Sequence, residues 1–198
     1  MTARCVIVMP DAGPINSLWV AGELSLLLKV GMPVILVDQV FEELTSDPEN
    51  YLKDREVKAF VEDHPEIFTI EKTTVGRMAA VMREQGTFEP GGSLGEAAIA
   101  DFFQHGLEKH VGPDQAALLL FEDADIRSVK VIRRPPNVHL VSTVSWLHGL
   151  EQMGLVASAN DIIHAMMHPT DPNKRPRKLK DLPDGTDEPA EIGSSWKF

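Results

Sequence analysis

Short runs of consecutive apolar residues alternate along the chain with longer stretches in which apolar residues recur at helical spacing. The apolar runs are CVIVMP (5–10), PVILVD (33–38), AALLLFED from Ala116 and NVHLVST from Asn137. Continuous runs of this length are typical of strands that are buried on both faces, as in parallel sheets. The stretches between them predict helices at about 39–64, 75–85, 94–108, 143–153 and 159–168.

Strands that are separated by helices predict an α/β fold with a mainly parallel central sheet sandwiched by helices. After His168 the composition changes, so we divide the chain into a domain of residues 1–168 and a charged, Pro-rich, irregular tail of residues 169–198. A tail with so few apolar residues cannot offset its ordering entropy alone. We expect it to be mobile, or to lie on a partner or on its own domain, and its basic cluster NKRPRKLK (173–180) to contact RNA, an acidic partner or the acidic domain.

Composition sets limits on the class of protein. A chain of 198 residues with 43% hydrophobic residues can bury a substantial core. The single cysteine, Cys5, excludes an intramolecular disulfide framework, and we expect it to be a small buried residue. No apolar run approaches the ~18 residues of a membrane span, and no signal-peptide pattern opens the chain, so we expect a cytoplasmic protein without a membrane partner. The net charge of -11 argues against a nucleic-acid coat protein but allows a nuclease whose carboxylates hold metal.

Carboxylates follow three of the four predicted strands. Asp11 follows the first strand, Asp38 the second, and Glu122, Asp123 and Asp125 the third. In an open parallel sheet, ligands bind beyond the carboxyl ends of the strands, so this placement predicts a site at that edge. The alternative is that an aspartate caps the helix that follows it, and for Asp38 we prefer that alternative.

Helical geometry selects two further acids. At about 100° per residue, Glu43 falls on the apolar side of its predicted helix with Leu44, whereas Glu42 points nearly the opposite way. By the same geometry Glu96 lies on the apolar side of the next-but-one predicted helix, and Asp101 faces away from it. A carboxylate on an apolar side needs a cation, a proton or hydrogen bonds. Glu43 and Glu96 are therefore candidates for a site.

Two interpretations of Glu96 stay open. Glu96 follows Ser93 by three residues, which is the Ser-x-x-Glu pattern of a helix capping box. Alternatively, it converges with Asp11, Glu43 and Asp123 on one end of the sheet, where four carboxylates would repel one another unless a divalent cation held them. Oxygen ligands without paired His or Cys suit Mg²⁺ or Mn²⁺.

The order of these motifs resembles that of PIN-domain proteins, the fold of many small metal-dependent ribonucleases, including VapC-type toxins. The matching segments, within about residues 5–165, are VMPDAGPINSLWVAGELSLLLKVGMPVILVDQVFEEL, LGEAAIADFF and LLLFEDADIR. The resemblance implies that Asp11, Glu43, Glu96 and Asp123 are catalytic acids, and that Asp11, Glu96 and Asp123 bind the metal. Many relatives carry Asp where this chain has Glu96.

The fourth acid is left open among Glu122, Asp123 and Asp125. The resemblance implies an endoribonuclease in which a metal-polarised water attacks an RNA phosphodiester in line. It also implies an antitoxin protein as a partner, and a homodimer. A second hypothesis is a non-catalytic PIN-like module that binds a protein partner, because fold alone does not determine function.

Four further residues are candidates for substrate binding. Asn16 and Ser17 follow Asp11 closely, and could contact a metal-bound water or a phosphate. Arg127 and Lys130 lie in the basic segment after Asp123 and could bind the RNA backbone. The alternatives are local backbone hydrogen bonds for the first pair and a solvated surface for the second.

Overall fold

Five parallel strands form the central sheet in the computed structural model, which describes residues 4–88, 94–122 and 135–179. The strands are β1 (Arg4–Pro10), β2 (Val34–Val37), β3 (Phe68–Glu71), β4 (Gln115–Phe121) and β5 (Val138–Ser142). Their order across the sheet is β3-β2-β1-β4-β5, and every pairing is parallel. The predicted parallel sheet is therefore confirmed.

Eight α-helices flank this sheet in the described part of the chain. They are α1 (Ala12–Ala21), α2 (Leu26–Lys29), α3 (Asp38–Leu44), α4 (Leu52–Glu62), α5 (Thr74–Glu84), α6 (Leu94–His105), α7 (Thr143–Gln152) and α8 (Ala159–Met167). All of β2 and all but the first residue of β4 are buried, as expected for strands that are covered on both faces. The α/β architecture is confirmed. None of these helices is long and apolar enough to cross a membrane.

The helix predicted at 39–64 is wrong in one respect, because it consists of two helices. Helix α3 ends at Leu44, and α4 begins at Leu52. Pro48 lies in the connection, where its missing N–H prevents a continuous helical hydrogen-bond pattern.

A buried carboxylate stabilises this connection. Asp54, which is 3% exposed, accepts hydrogen bonds from the Asp47 amide at 2.9 Å and from the Ser46 hydroxyl at 3.1 Å. The Lys53 ammonium lies 2.9 Å from the other carboxylate oxygen of Asp54. Burial by itself would raise the pKa of Asp54, but the Asp47 amide, the Lys53 ammonium and the Ser46 hydroxyl together hold that pKa below its ordinary value. The turn thus depends on an ionised side chain from the following helix.

Strand β3 is an edge strand that the hydrophobic pattern does not predict. Phe68 is buried, whereas Thr69 and Ile70 are exposed and Glu71 is half-buried. Four residues with one buried side chain form no apolar run. The strand nevertheless pairs in parallel with the whole of β2, so backbone hydrogen bonds define it.

Cys5 lies buried in β1, as expected. Burial raises the pKa of its thiol to about 11. The thiolate is therefore scarce at neutral pH, and Cys5 packs as a small apolar residue and not as a nucleophile.

The first part of the tail lies on the domain. We call residues 171–179 the strap. The Lys174 ammonium donates to the Trp19 carbonyl at 2.7 Å and lies 4.9 Å from the centre of the Trp19 ring. The backbone N–H of Arg177 donates to the Met166 carbonyl at 2.9 Å. Of the three alternatives for the tail, contact with its own domain holds for the strap.

Candidate functional site

The strand order reverses between β1 and β4, at the centre of the sheet. Strands β2 and β3 extend from β1 on one side, and β5 extends from β4 on the other. Ligands of open parallel sheets bind beyond the carboxyl ends of the strands at such a reversal. Asp11 directly follows β1, and Glu122 directly follows β4. The Asp11 amide donates to the Leu120 carbonyl at 2.9 Å, which fixes the two acids at adjacent strand ends.

Asp11 lies among three other carboxylates. Its pKa is raised from 3.8 to about 6, first by burial and then by the negative charges of Glu43, Glu96 and Glu122, against the opposing effect of the Ala12 amide. The structure therefore brings Asp11, Glu43 and Glu96 within electrostatic reach of one another and adds Glu122 to them. A partly buried acid with a raised pKa at a strand end is typical of a functional site.

Helices α3 and α6 approach each other closely enough to bring Glu43 towards the start of α6. A Cβ atom on Gly95 would lie 3.3 Å from Cγ2 of Val40 and 3.5 Å from Oε2 of Glu43, so the absence of a side chain permits this approach. Glu43 is exposed to solvent, although it was predicted on the buried side of its helix. It lies at the rim of the contact between the two helices, where its carboxylate faces α6 and still reaches water. Glu42 points elsewhere and forms an ion pair with α5.

The electrostatics of Glu43 are consistent with this rim position. Burial of part of its side chain and the charge of Glu96 raise its pKa, and the Lys53 ammonium opposes them. Glu96 lies in the first turn of α6. The two glutamates therefore face the same space from different helices, and each disfavours ionisation of Asp11.

Asp38 and Asp101 have structural partners. The Asp38 carboxylate accepts from the Thr73 amide at 3.0 Å and from the Thr73 hydroxyl at 2.7 Å. It also accepts from the Gln39 amide at 3.0 Å. The role of Asp38 is structural, but the predicted capping of the following helix is wrong, because Asp38 is the first residue of α3 and Val37 is its N-cap residue. Asp101 accepts from the Thr74 amide at 2.6 Å. These two acids connect α3 and α6 to the start of α5.

Glu122 is the member of the fourth-acid group that the structure describes. Its side chain is 13% exposed, and Oε2 accepts from the Arg177 guanidinium at 3.0 Å. Its Oε1 is buried without a hydrogen-bond partner among the described residues. A Cβ atom on Gly13 would lie 3.2 Å from Cβ of Glu122, so α1 packs directly against this acid. Asp123, which was predicted as the fourth acid, and Asp125 lie outside the described residues.

Asn16 and Ser17 lie on α1, just after Asp11. The side-chain oxygen of Asn16 is buried and has no hydrogen-bond partner within the described ranges. Ser17 is fully buried, and its hydroxyl accepts from Nε of Arg177 at 3.0 Å. Asn16 therefore has an acceptor that no described residue uses, whereas Ser17 already binds the strap.

Three residues that the sequence analysis singled out lie outside the described residues. They are Ser93, which would complete the capping box with Glu96, and the basic pair Arg127 and Lys130. The capping interpretation of Glu96 and the substrate-binding roles of the basic pair therefore stay predictions.

The available donors have the chemistry that a hard divalent cation prefers. They are carboxylate oxygens of mutually repelling acids, together with the unpartnered buried oxygens of Glu122 and Asn16. Within residues 4–88, 94–122 and 135–179, no three His, Cys, Asp or Glu side chains are arranged to hold a metal ion. The donor chemistry fits Mg²⁺ or Mn²⁺, and a ligand set made of the described acids alone would need them closer together.

Arg177 is the site residue that sequence reasoning did not single out. The basic cluster of the tail was identified as a whole, but its spacing does not distinguish Arg177 from Arg175 or Lys178. The contact with Ser17 spans 160 residues of sequence. No local pattern encodes a contact of that separation.

Comparison with known proteins identifies no family for this chain. No protein-family model matches it, and no curated protein is significantly similar to it. Its function is therefore inferred from the acids at the strand ends and from the resemblance described above.

Proposed function

We propose that this protein is a metal-dependent endoribonuclease that hydrolyses RNA phosphodiester bonds at the acidic edge between β1 and β4. The observation that carries the proposal is the position of Asp11, which lies at the reversal of strand order and is destabilised as an anion by burial and by three neighbouring acids. Such an arrangement is unfavourable without a cation and favourable with one. RNA is the substrate class that the PIN-domain resemblance implies.

The acids would have distinct roles. Asp11, Glu96 and either Glu122 or Asp123 would hold Mg²⁺ or Mn²⁺. A divalent cation supplies an activated water and neutralises charge on the phosphate. The hydrogen bond from the Asp11 amide to β4 fixes the position of this acid against the sheet. Glu43, which reaches solvent at the rim, is suited to accept a proton from the attacking water.

Substrate and partners complete the proposal. The free oxygen of Asn16 and the cations of Arg127 and Lys130 would contact the RNA backbone or its water shell. The same resemblance supports a toxin that an antitoxin protein holds in check, and a homodimer.

Metal binding is the first property to test. Titration with Mn²⁺ should raise the unfolding temperature of the wild type, because a ligand that binds only the native state stabilises it by about 2.7 kcal/mol at 100 times its Kd. For a chain of this length that is a rise of about 5–10 °C. Asp11→Asn should lose most of this rise. An unfolding temperature of the wild type that does not change with Mn²⁺ concentration would refute the proposed metal site.

Cleavage of single-stranded RNA and single-stranded DNA tests the chemistry. With Mn²⁺ present, Glu96→Gln should reduce RNA cleavage by at least about 100-fold, since even residues that support metal ligands contribute about 10–100-fold. Glu42→Gln is the matched control, because Glu42 carries the same charge but pairs with Arg83 away from the site. Full activity in Glu96→Gln would identify Glu96 as a helix cap.

A non-catalytic binding module is the second candidate. It is favoured by the ion pair between Glu122 and Arg177. It is also favoured because, in the part of the chain that the structure describes, no three His, Cys, Asp or Glu side chains are arranged to bind a metal ion. A folded protein that neither responds to Mn²⁺ nor cleaves RNA would select this candidate.

A further inference from the structure

The strap brings a positive charge to the acidic edge of the sheet. Nε of Arg177 donates to the Ser17 hydroxyl at 3.0 Å, and a terminal nitrogen donates to Oε2 of Glu122 at 3.0 Å. Both acceptors are largely shielded from water, since Ser17 is fully buried and the Glu122 side chain is 13% exposed. The Arg177 guanidinium is therefore seated between α1 and the end of β4.

Other contacts hold the strap on either side of this arginine. Lys174 is bound to the Trp19 carbonyl and lies against the Trp19 ring. Leu179 packs against the hydrophobic core. The strap is thus attached to the domain before and after Arg177, and these two attachments hold the Arg177 side chain in a defined position.

A divalent cation bound at Oε1 of Glu122, which has no hydrogen-bond partner among the described residues, would lie next to the Arg177 guanidinium. Oε2 of Glu122 accepts from Arg177, and the same carboxylate is one of the three that act on Asp11. A divalent cation bound by Glu122 would be the second cation at one carboxylate, and like charges within a few ångströms repel strongly in a partly buried site. The arginine also restrains Glu122, which would have to approach the other described acids to form a ligand set with them.

We propose that the strap is an autoinhibitory element, in which the Arg177 guanidinium at Oε2 of Glu122 opposes a divalent cation at the same carboxylate and must leave before the cation binds tightly. This inference rests on the proposed metal site. Because the coupling between two ligands of one site is reciprocal, the cation must also release the strap. Arg177 is in this sense an internal competitor of the metal.

The affinity for Mn²⁺ alone tests the competition. It can be measured from the loss of the paramagnetic resonance signal of free Mn²⁺ upon binding to the full-length protein. Arg177→Met keeps much of the aliphatic stem and removes the charge, and it should lower the Kd for Mn²⁺ by at least about fivefold, the lower end of typical coupling between sites. Lys174→Met should act in the same direction, because it loosens the strap without touching Glu122.

Arg175→Met is the matched control. Arg175 lies in the same strap and is exposed. The substitution makes the same change in net charge, so it should leave the Kd for Mn²⁺ unchanged. A similar gain in affinity for Arg175→Met and Arg177→Met would show a general charge effect and would overturn the inference.

Hydrogen exchange provides a readout that does not depend on affinity. Saturating Mn²⁺ should accelerate exchange in the strap of the wild type, including the Arg177 amide that donates to Met166, and chelation should restore its protection. Equal Mn²⁺ affinity in wild type and Arg177→Met, with a protected strap at saturation, would overturn the competition and leave the metal site intact. Absence of Mn²⁺ binding in both proteins would refute the metal site itself, and the competition with it.

Discussion

Asp11→Asn should stabilise the metal-free protein, and the gain should depend on pH. The folded state raises the pKa of this carboxyl from 3.8 to about 6, so the ionised form is disfavoured by folding. The protonated carboxyl of Asp11 does not destabilise the fold, so stability is highest below the ordinary pKa of this group. That stability is lost as the pH rises through about 6 and the carboxyl ionises. A shift of this size corresponds to a penalty of about 3 kcal/mol at pH 8. Asparagine is isosteric and neutral, and therefore removes that penalty.

Urea unfolding at pH 4, 6 and 8 in the presence of a chelator measures this effect. The free energy of unfolding of Asp11→Asn should match that of the wild type at pH 4 and exceed it by about 3 kcal/mol at pH 8. In thermal unfolding this is an increase of about 6–12 °C. The pH dependence distinguishes the removal of a charge from a general packing effect.

Asp38→Asn is the control with the opposite sign. Asp38 also follows a strand, but its carboxylate accepts hydrogen bonds from two backbone amides and the Thr73 hydroxyl. An amide group offers one acceptor oxygen in place of two, so this variant should lose stability at pH 8. An Asp11→Asn variant that is less stable at pH 8, or whose gain is the same at pH 4, would refute the electrostatic account of the site.

Three further outcomes follow from the described contacts. Asp54→Asn should lower the free energy of unfolding by about 2 kcal/mol at pH 7, and this loss should shrink as acid protonates the wild-type carboxylate. Gly76→Ala should destabilise the fold by about 1–3 kcal/mol despite the helix propensity of alanine, because its Cβ would overlap the Asp38 carboxylate; urea unfolding measures both. Gly95→Ala should change stability by less than about 1 kcal/mol but reduce RNA cleavage, because the new methyl group would meet Cγ2 of Val40 at 3.3 Å and so move α3, which carries Glu43, relative to α6.

Hydrophobic pattern predicted the central strands because burial on both faces leaves an uninterrupted apolar run, as in β2 and β4. It failed for β3, where Phe68 alone is buried and backbone pairing with β2 defines the strand. The hydrophobic pattern also predicted one helix in place of α3 and α4. The turn between them depends on hydrogen bonds to Asp54, which do not affect the spacing of apolar residues.

The acids of the site could be predicted in part. The rule that ligands bind beyond the ends of parallel strands singled out Asp11, and helical geometry singled out Glu43 and Glu96, which the structure brings within electrostatic reach of Asp11. Helical geometry did not predict that Glu43 is exposed. The position of a residue on one helix does not determine how far the neighbouring helix covers it. The role of Arg177 could not be predicted from the sequence, because its partners depend on the path of the strap across α1.

The position of Arg177 in the chain has a consequence for biosynthesis. Every acid that acts on Asp11 precedes Arg177 by at least 55 residues of sequence. Translation therefore delivers all of these carboxylates from the ribosome before their arginine. The nascent domain passes through a stage in which Glu122 has no Arg177 guanidinium beside it, a stage that refolding of the complete chain from denaturant does not reproduce.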